Sequence, residues 1–244
     1  MPRAQTKTAQ IPSQPDTTGA NTKGERTRAR LKVAARALMD RDGYDDLKIT
    51  DICATAQVSS GTFYIYFPDK AAICTEVLRE EMEANLRFIF GGPRRDDAFD
   101  AILEANRRYI QLFIERGGLN RAIGQTVDKL DAVREAWRSM NDRVAAQIAA
   151  GITRRLPSSE PLGRARLFVA YALQAMMDAL LLDIFVHDSP SLRDAAGDPE
   201  TLAQSISIIW YRTVFGTDPA PGQAPAARDL LALGLGPQVA PREG

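Results

Sequence analysis

Ser59, Ser60, Gly61, Thr62, Tyr64, Tyr66 and Lys70 fall within twelve consecutive positions and offer hydroxyls, one cation and little bulk. No nucleophile–base pair or metal-ligand spacing lies among them, so their chemistry is hydrogen bonding. Small hydroxyl residues let the start of a helix approach a polar surface closely, while Tyr and Lys donate well to phosphate oxygens. The flanking residues say how they are presented. Ile52, Cys53 and Ala56 give a short apolar stripe at helical spacing. Ala56-Gln57-Val58 reads as a turn, and Ser59 stands where an N-cap belongs. Phe63 and Phe67, four apart, point inward; Pro68 and Asp69 stop one helix and begin the next. Residues 49–70 therefore predict a helix-turn-helix whose second helix would enter the DNA major groove.

This stretch resembles the DNA-binding signature of the tetracycline-repressor (TetR) family. The resemblance rests on Gly43-Tyr44, Asp51-Ile52, Val58-Ser59, Gly61-Thr62, Tyr64, Tyr66-Phe67 and Lys70, all at fixed spacing, and with 31–44 as the preceding helix it covers about the first third of the chain. Two positions depart from the pattern. Gln57 stands in the turn where the family usually has Gly, and a left-handed Gln would cost roughly 1 kcal/mol. Thr50 replaces a basic or larger polar residue. Ser60, Gly61 and Thr62 are expected to face base edges, since they open the recognition helix. Tyr64, Tyr66 and Lys70 are expected on phosphates, as the resemblance also implies; Thr50 and Ser59 complete the expected DNA-contact set.

The helices that must hold this motif follow from periodicity. The first spans about 23–41, with Leu31, Ala34, Ala35, Leu38 and Met39 on one face and Arg26, Arg28 and Arg30 positioned to meet a DNA backbone. Formal net charge is zero, yet residues 1–36 carry eight basic residues against two acidic ones. A basic end on an acidic body suggests one polyanion-facing surface. A fourth helix over about 69–90 begins with Lys70, a cation placed against the helix dipole, which again suggests a phosphate partner. Further helices are expected at about 96–116, 119–129, 131–156, 162–186 and 199–215, with a loop at 157–163 and no strand-like alternation.

The chain is thus expected to be all-α: a three-helix helix-turn-helix DNA-binding domain followed by a larger helical ligand-binding and dimerisation domain. The expected boundaries are a flexible tail over 1–22, where Arg3 and Lys7 could add phosphate contacts, the DNA-binding domain over 23–68, the body over 69–216 and a Pro/Ala-rich tail over 217–244, in which 226–233 could form a docked turn of helix through Leu230, Leu231 and Leu233. No apolar leader is visible, so the cytoplasm is the expected compartment. Polar residues Gln174, Asp178 and Asp183 interrupt the most apolar run, 167–186, which argues against a membrane partner. Cys53 and Cys74 fit no disulfide or CxxC pattern and read as small buried residues.

An enzyme finds no support here. His187 is the only histidine; with Asp183 four residues before it, it makes half a metal site at most, and Asp178 is out of phase. No phosphate loop or nucleophile elbow is present, and no cofactor is called for. Binding remains. Asn106, Tyr109 and Gln174 could orient a small molecule among Phe113, Trp137, Met140 and Met177; each could equally be a core residue. The helix over 162–186 is apolar on nearly every side and needs cover on every side. A second copy of the chain is the simplest cover, met by Leu173, Leu180, Ile206, Ile209 and Trp210, although a monomer with a deeply buried helix also fits. The resemblance implies the dimer. These observations lead to a dimeric regulator of transcription, a repressor released from a palindromic operator by an apolar or aromatic effector. An activator, a regulator answering a protein partner, and an all-α ligand-carrier or interaction protein with an inert helix-turn-helix are the alternatives.

Overall fold

The first helix, α1 (Lys23–Asp42), opens on a reciprocal cap. The Thr22 hydroxyl accepts from the Glu25 N–H at 3.2 Å, and the Glu25 carboxylate accepts from the Thr22 N–H at 2.8 Å. The computed structural model describes residues 22–156 and 162–233. The expectations for residues 1–21, the 157–161 part of the loop and the end of the chain from 234 lie outside those residues. Among the described residues ten more α-helices follow α1: α2 (Ile49–Ala56), α3 (Ser60–Tyr66), α4 (Lys70–Phe90), α5 (Ala98–Glu115), α6 (Gly117–Val127), α7 (Asp131–Arg155), α8 (Gly163–Phe185), α9 (Pro190–Ala196), α10 (Pro199–Phe215) and α11 (Arg228–Ala232). No strand occurs among the described residues, so the fold is all-α.

The chain divides into two compact units. The first holds residues 22–88 and 116–138, so it is larger than a three-helix domain ending at residue 68. Leu31, Ala34, Ala35, Leu38 and Met39 of α1 are buried, as their spacing predicts, and Ile52, Phe63, Phe67 and Ile73 are buried in the same unit. Gly43 ends α1 at a positive φ of 82°. Gly118 is there for space rather than for a turn. A β-carbon at that position would lie 1.6 Å from the Asp40 carbonyl oxygen, so only glycine lets the start of α6 reach the end of α1. The Leu119 N–H donates to Asp40 Oδ1 at 3.2 Å and seals that contact.

The second unit holds residues 89–115, 139–156 and 162–233. Its core sets Phe99, Leu103, Ile110 and Phe113 of α5 against Met177, Leu181 and Ile184 of α8 and Leu202 and Ile206 of α10. Three expectations change here. Residues 217–233 are not a free tail: Ala224 and Ala227 are buried, Leu230 and Leu231 pack on the core, and the Arg212 guanidinium donates to the Leu230 and Leu231 carbonyls at 3.2 Å. Leu233, expected to dock, is 75% exposed. The helix α9 is an addition to the expected set; Pro190 starts it and Gly197, at a φ of 69°, ends it. The third point concerns α8: one chain alone does not cover it on every side, so the alternative of a monomer with a deeply buried helix is what changes. Phe168 is 74% exposed, and Leu167 and Tyr171 are exposed beside it. By length and composition α8 is also long and apolar enough to cross a membrane, despite its polar interruptions.

Candidate nucleic-acid interface

The recognition element is built from a few local rules. Ser59 caps α3, its Oγ accepting from the Thr62 N–H at 3.1 Å. Phe63 and Phe67 are both buried, their ring centroids 5.9 Å apart, so the back of α3 faces the interior of the unit. Gln57 takes up the left-handed conformation, with φ 54° and ψ 49°, so the turn carries the strain that its non-glycine residue predicts. Arg30 ties that turn down by donating to the Ala56 and Gln57 carbonyls, the latter at 3.1 Å. Asp69 caps α4, accepting from the Ala72 N–H at 2.8 Å.

What this scaffold leaves outward is nearly all polar. Thr50, Ser59, Ser60 and Gly61 are exposed, Thr62 and Tyr66 are half-buried, and Tyr64 is 57% exposed. The Tyr66 hydroxyl sits beside Gly24, where a β-carbon would meet it at 3.4 Å, so the end of α3 and the first turn of α1 form one surface. Lys70 behaves differently: its Nζ donates to the Tyr44 carbonyl at 3.1 Å and lies 4.4 Å from the Tyr44 ring centroid. Sequence reasoning missed Ile65, which is 76% exposed on α3. Its place, midway between the buried Phe63 and Phe67, could have flagged it as outward-facing.

The basic end of the chain is less available than its composition suggests. Arg28 forms a two-pronged pair with Glu76 and lies over the Phe67 ring at 4.7 Å. Lys32 binds Glu76 at 2.9 Å and also reaches Glu80, and Arg36 binds Glu81 at 3.1 Å. The bond from Arg28 holds the Glu76 carboxyl below its ordinary range. Of the three arginines expected to meet a backbone, Arg28 and Arg30 are engaged within the unit, while Arg26 is exposed. Cys53 and Cys74 are buried thiols, and burial pushes Cys74 up to about 12, far from a reactive thiolate.

In the second unit, the residues expected to orient a ligand have partners that spacing along the chain does not reveal. Asn106 and Gln174 are buried and Tyr109 is half-buried. Asn106 Nδ2 donates to Ser207 Oγ at 3.0 Å. The Tyr109 hydroxyl donates to Asp178 Oδ1, and its ring meets Phe113 edge-on at 5.4 Å. Gln174 Nε2 donates to Asn141 Oδ1 at 2.9 Å. Burial pushes the Asp178 carboxyl up to about 6, opposed in part by the Tyr109 bond, and burial, then the Asp178 charge, raise Tyr109. Phe113 and Met177 share this unit's core; Met140 is half-buried and lies in the same unit but outside that core cluster, whereas Trp137 belongs to the first unit. Setting Asp178 against His187 alone overlooks this arrangement. The useful signal is its spacing of four from Gln174 on an otherwise apolar helix. His187 Nδ1 and Asp183 Oδ1 lie 2.9 Å apart, both exposed, and no group of metal-binding side chains occurs among the described residues.

Of the residues expected to meet a second copy, Leu173 and Ile206 are buried in the unit's own core. Leu180, Ile209 and Trp210 are half-buried. The exposed stripe of α8 runs instead through Phe168, Ala172, Ala175 and Ala179.

Comparison with known proteins places these features. Residues 32–77 match the model of the tetR family of bacterial regulatory proteins. The chain is similar to the HTH-type transcriptional regulator EthR of Mycolicibacterium smegmatis, 24% identical over 213 residues that cover 82% of this chain and 91% of that protein. It is 26% identical to EthR of Mycobacterium tuberculosis over 208 residues, 79% of this chain and 88% of that protein. Among solved structures, a transcriptional regulator from Rhodococcus shares the fold with a TM-score of 0.64 at 20% identity, over 82% of this chain and all of that one. A tetR-family regulator from Streptomyces coelicolor does so with a TM-score of 0.63 at 21% identity, over 86% and 97%.

Proposed function

We propose that the chain is a tetR-family DNA-binding transcriptional regulator rather than an enzyme, a cytoplasmic homodimeric repressor released from a two-fold operator by a small molecule; the match of residues 32–77 to the tetR family model and the likeness to EthR support this reading. One observation carries the DNA-binding half of this reading. The recognition helix α3 buries Phe63 and turns its small polar residues outward, a helix built to be read against another surface. Ser60, Gly61 and Thr62 contact base edges; Thr50, Ser59, Tyr64 and Tyr66 hold the backbone. Lys70 reaches a phosphate by leaving Tyr44, exchanging a charge-assisted hydrogen bond to a carbonyl and a cation–π contact for an ion pair.

The second copy docks on the uncovered side of α8 around Phe168 and Tyr171, with Leu180, Ile209 and Trp210 at the margin. Exposed aromatic surface on a long apolar helix is costly in water, and a two-fold contact removes it from both copies. Dimerisation sets the two recognition helices roughly 34 Å apart for successive major grooves. The effector is an apolar or aromatic molecule held in the second unit. Its signal travels along α4, whose residues to Phe88 belong to the first unit and whose last two belong to the second. A coupling of about 1–3 kcal/mol would release DNA by about 5–150-fold, and operator must weaken effector binding by the same factor.

The experiment is selection of bound duplexes from random DNA with the full chain, followed by a release screen with small molecules. A two-fold consensus bound by one dimer, and its release, is the expected result. A protein that enriches no sequence would instead be a ligand carrier with an inert helix-turn-helix.

A further inference from the structure

The second unit contains a carboxylate that the fold by itself does not explain. Asp178 lies half-buried on α8 with its carboxyl enclosed, and the influences on its charge are burial and the Tyr109 hydroxyl, with no lysine or arginine among them. Carboxylates in such settings are ordinarily matched by a cation. One turn earlier on the same face, Gln174 is 6% exposed, and its Oε1 accepts no hydrogen bond although its Nε2 is used on Asn141. A buried acceptor without a donor costs free energy unless something fills it. Residues four apart on a helix are neighbours, so one ammonium group can reach both oxygens. Tyr109 donates to Asp178 Oδ1 and leaves the other carboxylate oxygen for a ligand, and its ring packs edge-to-face with Phe113 in the same apolar core, which suits an apolar frame.

We infer that the ligand of the second unit is an organic cation, a protonated amine on an apolar frame, with its N–H groups shared between the Asp178 carboxylate and Gln174 Oε1. This deepens the effector reading above and rests on it for the consequence to DNA, but the site is defined by its own residues. A carboxylate ligand would be repelled by Asp178. An alcohol could supply one of the two missing donors and none of the missing charge.

The test uses three probes of one length, octylamine, octanol and octanoate, below their micelle concentrations. Binding to the full chain is measured by calorimetry, and release of the selected operator is measured in parallel. Octylamine is expected to bind at least tenfold more tightly than octanol, with octanoate weaker still. Asp178→Asn should bring octylamine to the level of octanol while leaving octanol unchanged. Tyr109→Phe, which keeps the carboxylate and the ring, should retain the preference for the amine, and circular dichroism verifies that both variants fold. Failure of all three probes to bind, a preference for octanol or octanoate, or an amine preference that survives in Asp178→Asn would overturn the inference. Octylamine that binds as expected yet leaves the operator complex intact would support the cation site and sink the effector reading. Release by octanol or octanoate but not by octylamine would do the reverse.

Discussion

The helices α3 and α8 distribute their polarity in opposite senses. The seven residues of α3 hide one large aromatic, Phe63, and show hydroxyls to solvent. The much longer α8 hides Gln174 and the Asp178 carboxyl and shows Phe168 and Tyr171. The first arrangement suits a surface read by hydrogen bonds, the second an interior that holds polar groups for something not part of the chain and an exterior that awaits apolar cover. The contrast teaches that the two helices stand differently to the inside-out rule: α3 keeps it, with its aromatic inside and its hydroxyls outside, and α8 departs from it on both counts.

The sharpest way to break the comparison is to remove what holds α3 in place. Phe63 is fully buried, so Phe63→Ala should cost ~3–5 kcal/mol, from lost transfer energy and the cavity left behind. Denaturant unfolding should show that loss together with loss of operator binding. An unchanged midpoint would mean that α3 is not anchored through its aromatic side.

Asp178→Asn tests the other half, with a gain rather than a loss. The folded carboxyl sits at about 6, above an ordinary value of 3.8. Its contribution to stability is therefore present below about 3.8 and is lost as pH rises through about 6. The amide escapes that loss, so the variant should match the parent in acid and exceed it by up to ~3 kcal/mol at neutral pH. Melting temperatures across pH 4–8 read this directly, and a constant difference would show that burial is not what perturbs Asp178.

Two smaller effects return to the first unit. Lys70→Ala should weaken binding to every duplex and lower the salt slope by about one unit, whereas Thr62→Ala should change which sequences bind. A Lys70 variant with altered preference and an unaltered slope would reverse the two roles. Gln57→Gly relieves the left-handed turn at the expense of some chain entropy and should raise stability by at most ~1 kcal/mol, with the Arg30 bonds to the turn carbonyls retained. No gain on thermal unfolding would show the strain to be absorbed elsewhere.

The sequence by itself determined the helix-turn-helix, because its signals are local. The Ser59 cap, the Phe63 and Phe67 pair, the turn at Gln57 and the Asp69 restart each act within a few residues, and each is where its spacing puts it. It also determined the helical class and most helix ends, which glycine and proline mark directly. Only the tertiary structure decided how side chains were used once the helices met. Arg28 and Lys32 are engaged by Glu76, which is more than forty positions away. Helical periodicity showed that α8 was apolar, but not which of its faces the second unit would cover. Asp178 became an enclosed charge only when α5 brought Tyr109 against it, and Gln174 was left one donor short only when Asn141 took its amide. A charge's surroundings are set by residues distant in sequence, and no periodicity along one helix encodes them.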